Sequence, residues 1–210
     1  MDEAEARERL DVPRETLERL EILVDLVRRE NDRQNLVSKA SLEDVWGRHV
    51  LDSAQLLHFA PPAAETWLDL GAGAGFPGLV IAAIAPMKMT LLEARKLRAD
   101  FLGRAADRMG IADRIAILCA KAESVSARPF DVISARAFAP LERLLAVGSR
   151  FSTDKTLWVL PKGRNAKTEL EAVQSSWQGD FRLEPSLTDA DAQIVVAAGV
   201  RPRKRGKGAR

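Results

Sequence analysis

The 210-residue sequence predicts an α/β protein: a doubly wound, mostly parallel seven-strand sheet behind an N-terminal layer of helices. Three observations lead there. From about residue 65 onward, short apolar runs alternate with helix-length stretches, the pattern of a parallel sheet covered on both faces. The first of these runs ends in a glycine-rich turn, Asp69-Leu70-Gly71-Ala72-Gly73-Ala74-Gly75. The last two runs follow each other with no helix between them, which predicts an antiparallel hairpin at one edge of the sheet.

Each element has its own signal. Pro13 suits a first helical turn, and Leu17, Leu20, Leu23, Val24 and Val27 follow at helical spacing, giving an amphipathic helix over about 13–30. The polar string NDRQN, 31–35, reads as a break. Ser41 with Asp44 three residues later resembles a capping box and opens a second helix over 41–59, ended by Pro61-Pro62. These helices form an extension over 1–60, ahead of a core domain over 61–200. In the core domain ETWLDL (65–70) is the first strand, and GLVIAAIA (78–85) is the helix that leaves the glycine turn. MKMTLLE (87–93) is the second strand, followed by a helix over 95–110 closed by Gly110. RIAILC (114–119), FDVISA (130–135) and TLWVLP (156–161) are further strands, with a helix over about 140–149 before the last of them. A helix over about 164–177 precedes the late strands FRLEPSL (181–187) and AQIVVAA (192–198). Met87, Met89 and Trp158 fall within strands and read as core.

Composition sets the outer limits. With 46% hydrophobic and 30% charged residues the chain is globular, neither disordered nor collagenous. The single cysteine, Cys119, excludes an intramolecular disulfide and a multi-cysteine metal site, and its place at a strand end reads as a buried thiol. His49 and His58 are the only histidines, so no metal is expected; His58 reads as a helix-end residue. The charged N-terminus is unlike a signal peptide, and no apolar stretch approaches the ~20 residues of a membrane span, so a cytoplasmic, membrane-free protein is expected. Residues 1–30 carry a net charge of −4, the last ten carry six basic groups and no acidic one, and 31–200 are neutral in sum. Attraction to a polyanion is therefore concentrated in a tail over 201–210, predicted to be disordered when free; a solubilising role is the alternative.

Alternating glycines at the end of the first strand let the backbone turn tightly and approach a ligand, and the helix behind them would offer unpaired N–H groups. Two cofactor readings follow. Gly73, Gly75 and Gly78 fit the G-x-G-x-x-G spacing of dinucleotide binders, although that match begins after Gly71 has opened the turn and has Pro77 at its fifth position. Asp69 through Gly75 equally form Asp-x-Gly-x-Gly-x-Gly, which resembles the first motif of Rossmann-like S-adenosylmethionine-dependent methyltransferases. Glu93, at the end of the second strand, could accept hydrogen bonds from ribose hydroxyls of either cofactor, or be an exposed strand-end charge. In RHVLDS, Arg48 and Asp52 are spaced for a surface i,i+4 ion pair, whereas His49 and Asp52 could instead meet a substrate. No G-x-S-x-G elbow, P-loop or zinc-ligand spacing occurs.

Taken together, RHVLDS (48–53), LDLGAGAGFPGL (68–79), AE (122–123), FDVISARAFAPL (130–141) and PKG (161–163), with NLVS (35–38) ahead of them, resemble the bacterial small-subunit ribosomal RNA methyltransferase G family, also called glucose-inhibited division protein B. The resemblance runs from about 20 to 200. It implies a class I methyltransferase fold and methyl transfer from S-adenosylmethionine to N7 of a guanine in 16S rRNA, in the decoding-region loop of the small ribosomal subunit. The glycine turn with Asp69, Gly71, Gly73, Gly75 and Phe76 would hold the cofactor with Glu93, and Ala122 and Glu123 would flank its adenine. Arg136 would lie beside the methyl donor and the incoming base. The family often places an Arg-His pair ahead of the last apolar strand, where this chain reads DAQIVVAA, and the absence of tyrosine leaves base stacking to Phe, Trp or Arg.

The chemistry suits the composition. Guanine N7 carries a lone pair and no proton, so its methylation needs alignment and water exclusion rather than a general base. Arg136 then acts as a clamp on phosphate, carboxylate or base edge, its plain alternative being a surface arginine at a helix start. Lys162, past the fifth strand, reads either as a phosphate contact or as a solvated loop lysine. The loop Ser134–Phe138 would face the target base. A monomer acting on rRNA within the small subunit is the expected arrangement. The alternatives are another acceptor on the same fold, or a non-catalytic dinucleotide-binding regulator.

Overall fold

The computed structural model describes residues 2–203. Its N-terminal layer begins with a helix that hydrophobic periodicity does not announce, α1 (Glu3–Leu10), which buries only Ala6 and Leu10 and is capped by the Asp2 side chain accepting from Glu5 N at 2.8 Å. The expected amphipathic helix is α2 (Arg14–Gln34), with Leu20, Leu23, Val24 and Val27 buried. It runs through the string read as a break. Asn31 is buried inside it and accepts from Val37 N at 2.9 Å, and the helix closes at Asn35 in a left-handed conformation. The next helix starts three residues early: Ser38, not Ser41, is the N-cap of α3 (Lys39–Glu43), its hydroxyl accepting from Ser41 N. Beyond a turn at Asp44, Trp46–Leu51 winds as a π-helix, continued by α4 (Asp52–Ala54) and a 3-10 turn over Gln55–Phe59. The Pro61-Pro62 pair follows.

The core then alternates as expected: β1 (Thr66–Leu70), α5 (Gly78–Ile84), β2 (Lys88–Leu92), α6 (Lys96–Arg108), β3 (Ile115–Leu118), β4 (Val132–Ser134), α7 (Leu141–Gly148), β5 (Leu157–Lys162), α8 (Ala166–Val173), β6 (Trp177–Pro185) and β7 (Gln193–Pro202). The seven strands lie in the order β3-β2-β1-β4-β5-β7-β6; β1 to β5 are parallel, and β7 runs antiparallel to both β5 and β6. The order reverses between β1 and β4, so the loops at their carboxyl ends open a crevice of the kind that binds ligands in doubly wound sheets.

Two departures occur at the hairpin. Helix α8 stops at Val173 and β6 starts at Trp177, a buried indole that anchors the edge strand. Strand β7 extends to Pro202, and Arg203 Nε donates to Gln174 O and Trp177 O at 2.8 and 3.0 Å. Arg201 and Pro202 are thus part of the sheet and Arg203 is tied to it, rather than belonging to a disordered tail; 204–210 lie outside the described residues. Cys119 is exposed, not buried, because β3 is an edge strand that ends at Leu118.

The pleat divides the core between the two faces of the sheet. On one side Trp67, Met89, Val132 and Val159 pack with α5, α6 and the N-terminal layer, including Leu23, Val27 and Trp46. On the other, Leu68, Leu70, Ile133, Trp158 and Leu160 pack with Leu144 and Phe151. The N-terminal helices therefore cover the sheet face beside the crevice. No helix among the described residues is long and apolar enough to cross a membrane.

Candidate active site

The turn after β1 passes through three left-handed glycines, Gly71, Gly73 and Gly75, with φ of 75°, 54° and 92°. Two carboxylates hold it. Asp69 is 0% exposed; Oδ2 accepts from Gly78 N at 3.0 Å and Oδ1 from the Ser134 hydroxyl at 2.9 Å, which itself accepts from Trp67 Nε1 at 2.8 Å. Burial pushes the Asp69 carboxyl up to about 7, against the pull of the Ser134 and Gly78 hydrogen bonds. Glu93, buried just past β2, accepts from Gly73 N at 3.0 Å and Arg95 N at 2.8 Å, so it is not an exposed strand-end charge. Both acids shape the turn from behind. The Gly78 N–H, expected to face a ligand, is taken by Asp69, and a Cβ on Gly78 would collide with Leu91 Cδ2. The last glycine of the G-x-G-x-x-G match thus serves helix-to-sheet packing.

Facing the turn is Arg136, two residues past β4, with its side chain 23% exposed. Its Nη1 donates to His49 Nδ1 at 2.8 Å and its Nη2 to Arg48 O at 2.7 Å, while Nε lies 3.5 Å from Asp52 Oδ2. This is a fork with three partners, not a surface helix-start arginine. The π-helical turn delivers Arg48 O and His49 to it, and α4 delivers Asp52. The expected Arg48–Asp52 ion pair does not form: Arg48 pairs instead with Asp44 at 3.7 Å, and Asp52 accepts from Gln55 Nε2 at 2.8 Å and Thr188 Oγ1 at 2.9 Å.

Because a guanidinium only donates, Nδ1 of His49 is the acceptor and its proton sits on Nε2, which is buried without a partner among the described residues. Burial, then Arg136 and Arg48, push this imidazole down to about 3. It stacks on Phe76 at 4.8 Å and 19°.

Lys162, the last residue of β5, lines the larger cavity and is not a solvated loop lysine. Its side chain is 10% exposed, and Nζ donates to Ala139 O at 3.0 Å and Glu169 Oε2 at 2.9 Å, tying the loop after β4 to α8.

Two cavities meet here. One of about 240 Å³ is lined by Gly71, Gly73, Phe76, His49, Arg98 and Arg136. The other, of about 500 Å³, is lined by Asp52, Arg136, Phe138, Lys162, Glu169 and Ile194. Arg136 and Ala137 border both, so the arginine stands in the partition. A Cβ added to Gly73 would meet nothing closer than Gly71 O at 3.7 Å: the space in front of this glycine belongs to the cavity, the cradle an extended small molecule needs. Ala122 and Glu123 lie outside both linings; Ala122 is buried at the start of a 3-10 turn after β3, and Glu123 is exposed, its carbonyl accepting from Arg150.

Sequence reasoning missed Ser134 as a partner of Asp69, and Glu169 altogether. Ser134 had a signal, a polar residue in the apolar run FDVISA that falls opposite Asp69 in the β1–β4 register. Glu169, one of several acids on a helix, had none.

A family model described as rRNA small subunit methyltransferase G matches residues 16–193 of the chain. The chain belongs to that family. Among its relatives, a ribosomal RNA small subunit methyltransferase G of Rhizorhabdus wittichii is 51% identical, over 99% of this chain and 97% of the relative. One of Novosphingobium aromaticivorans is 48% identical over 93% and 87%. Of the solved structures, an O-methyltransferase from Bacillus cereus in complex with SAH gives a TM-score of 0.56 at 17% identity, covering 84% of this chain and 90% of that one. An Aeropyrum pernix fibrillarin with natively bound S-adenosyl-L-methionine gives 0.51 at 13%, covering 64% and 66%. At such identities the likeness is one of fold.

In this member of the methyltransferase G family, the two buried titratable groups of the site have opposite pH signatures. Unfolded, Asp69 loses its proton near 3.8, but folded it keeps it to about 7, so its contribution to stability falls as pH rises through that window. Unfolded His49 takes up a proton below about 6.5, but folded it does not until about 3, so its contribution is lost as pH falls from 6.5. Between about 4 and 6.5 the folded and unfolded states differ by one proton at each group in opposite senses, and the slopes offset. Relative to the unaltered protein, His49→Gln should therefore become less stable as pH rises across this window, and Asp69→Asn less stable as it falls. Urea midpoints at the two ends of the window measure both; identical slopes in all three proteins would contradict the assignment.

Proposed function

We propose that this chain methylates N7 of a guanine in 16S ribosomal RNA of the small ribosomal subunit, using S-adenosylmethionine. The observation that carries the reading is the partition at Arg136, between a glycine-lined cradle and a larger chamber with mixed apolar and polar walls, in a chain of the methyltransferase G family. The cofactor would lie against Gly71, Gly73 and Phe76, in the turn shaped by Gly75, Asp69 and Glu93, with Ala122 and Glu123 toward its adenine. When bound, it supplies a methyl group on a sulfonium to a lone pair that bears no proton.

What remains for the protein is alignment and exclusion of water. Arg136 is held flat at the junction by His49, Arg48 O and Asp52, and can grip an anionic or carbonyl oxygen only from the edge left uncovered. His49, kept neutral, orients the arginine instead of moving a proton. The helical extension over 1–60 supplies this wall of the site, and the domain over 61–200 supplies the cradle. The enzyme works as a cytoplasmic monomer in this reading.

Transfer of labelled methyl from S-adenosylmethionine to small subunits lacking their natural methylation is the test. The expected product is 7-methylguanosine at one position of 16S rRNA; label in another nucleoside or in protein overturns the acceptor. Cofactor choice has a simpler check: S-adenosylmethionine should raise the melting temperature by mass action and NAD should not. Stabilisation by NAD alone would favour the dinucleotide reading of Gly73, Gly75 and Gly78.

A further inference from the structure

We propose that Glu169 reads the Watson–Crick edge of the target guanine, accepting hydrogen bonds from N1–H and the N2 amino group inside the larger cavity. The inference rests on the guanine-N7 reading above and adds the residue that selects the base.

An enzyme that acts on a base within folded RNA takes that base out of its stack into a pocket of its own. The chamber of about 500 Å³ beyond Arg136 has the walls for a purine: Phe138, Pro140, Leu144, Pro161 and Ile194 offer apolar faces. Polar groups share the lining, and its carboxylates are Asp52, Glu169 and Asp189. The two oxygens of Asp52 are already engaged, Oδ1 by Gln55 and Thr188 and Oδ2 facing Arg136. Asp189 sits exposed on the loop before β7, where water competes for it.

Glu169 differs from both. Its side chain is 30% exposed, and one oxygen, Oε2, is pinned by Leu141 N at 2.7 Å and Lys162 Nζ at 2.9 Å. The other, Oε1, accepts no hydrogen bond among the described residues, and Glu169 lines the chamber. Lys162, itself anchored on Ala139 O, fixes the carboxylate and balances its charge. A carboxylate held at one oxygen and free at the other is a rigid acceptor already desolvated on one side.

Guanine presents two donors side by side, N1–H and N2–H, on the six-membered ring. N7 lies on the five-membered ring, away from them. An acceptor that grips the N1–N2 edge therefore leaves N7 free to turn toward the partition at Arg136. Adenine places a lone pair at N1, which would face the carboxylate with no proton between them, so the same contact rejects it. A site built to hydrogen-bond a substrate N–H discriminates strongly against an analogue that lacks it. The carboxylate also stands near a base that becomes cationic on methylation.

The test uses small subunits reconstituted with 16S rRNA carrying either guanosine or inosine at the modified position. Inosine lacks only the N2 amino group and keeps N7. The unaltered enzyme should methylate the inosine subunits roughly 10- to 100-fold more slowly. Glu169→Gln, which keeps an acceptor for Leu141 N, should lose rate on guanosine by a similar factor while keeping its affinity for S-adenosylmethionine, with a lower melting temperature because the mostly buried Lys162 loses its charged partner. Its guanosine-to-inosine ratio should then fall close to one. A merely structural glutamate would slow both substrates equally and preserve the ratio. Equal rates on the two substrates in the unaltered enzyme, or unaltered discrimination in Glu169→Gln, overturn the proposal. The first comparison needs no variant, so a Glu169→Gln protein that fails to fold still leaves a decision. No transfer to guanosine subunits by the unaltered enzyme would instead remove the guanine-N7 reading itself, a separate outcome.

Discussion

Arg136→Ala should lower methyl transfer by about 100-fold or more while costing the fold about 1–3 kcal/mol. The asymmetry follows from where the side chain stands. Its contribution to the fold is a pair of hydrogen bonds, to His49 Nδ1 and Arg48 O, and an ion pair at 3.5 Å with Asp52, which keeps Gln55 and Thr188 as donors when the arginine is gone. Its contribution to the reaction is the geometry of the partition between the two cavities, where displacement of a reacting group by about 1 Å already costs about 100-fold. Arg136→Lys should recover little, because an ammonium cannot span three partners with a planar fork. An independent readout accompanies the loss. The Arg136 charge is the second cause, after burial, of the low His49 pKa, so in Arg136→Ala the imidazole should titrate at higher pH than in the unaltered protein, visible by NMR. Single-turnover methyl transfer, beside melting temperature and cofactor affinity, separates the effects. Turnover in Arg136→Ala equal to the unaltered enzyme would take the residue out of the site.

Why the sheet could be read from the sequence, and the details around Arg136 could not, has a physical basis. Strand and helix existence follows from local periodicity, and the alternation after residue 65 was strong enough to place all seven strands and the edge hairpin. The glycine turn was legible because three alternating left-handed positions favour glycine. Element ends were less so. Helix α2 continues through a polar string because Asn31 finds Val37 N, a partner six residues away that no periodicity reveals.

At the site, residue types were legible but partners were not. His49 and Asp52 stood out by spacing, yet the spacing argument assumed an α-helix, and the π turn over Trp46–Leu51 changes which groups share a side. Asp69 and Glu93 were legible as acids at strand ends. That their oxygens face backbone N–H groups, rather than open space, depends on the folded turn and on Ser134 one strand away. Glu169 illustrates the limit: its place in the chamber arises from packing of α7 on α8 and the reach of Lys162, none of it local in sequence.

A methyl group at Gly73 should separate the cradle from the fold. Gly73→Ala and Gly110→Ala place the same side chain at left-handed positions, φ of 54° and 66°, so each should lose about 1–2 kcal/mol of stability from backbone strain alone. Neither Cβ collides with protein: at Gly73 the nearest atoms are Gly71 O at 3.7 Å and Arg98 Nη1 at 4.0 Å, and at Gly110 nothing lies within 4 Å. What differs is the space each methyl enters. Gly110 closes α6 after Arg108, away from both cavities, whereas Gly73 lines the smaller one, with its N–H drawn back onto Glu93 so that its Cα faces the opening. Affinity for S-adenosylmethionine should therefore drop by roughly 10- to 100-fold in Gly73→Ala, since a ligand that packs on glycine backbone cannot shift away without losing its other contacts. It should be unchanged in Gly110→Ala. Titration calorimetry on the two variants, beside their melting curves, gives both quantities. Equal affinities would mean that the cofactor does not approach this turn, and would move the cradle elsewhere along the crevice, whereas a loss confined to Gly73→Ala would leave the open space before that glycine as the place where the ligand lies.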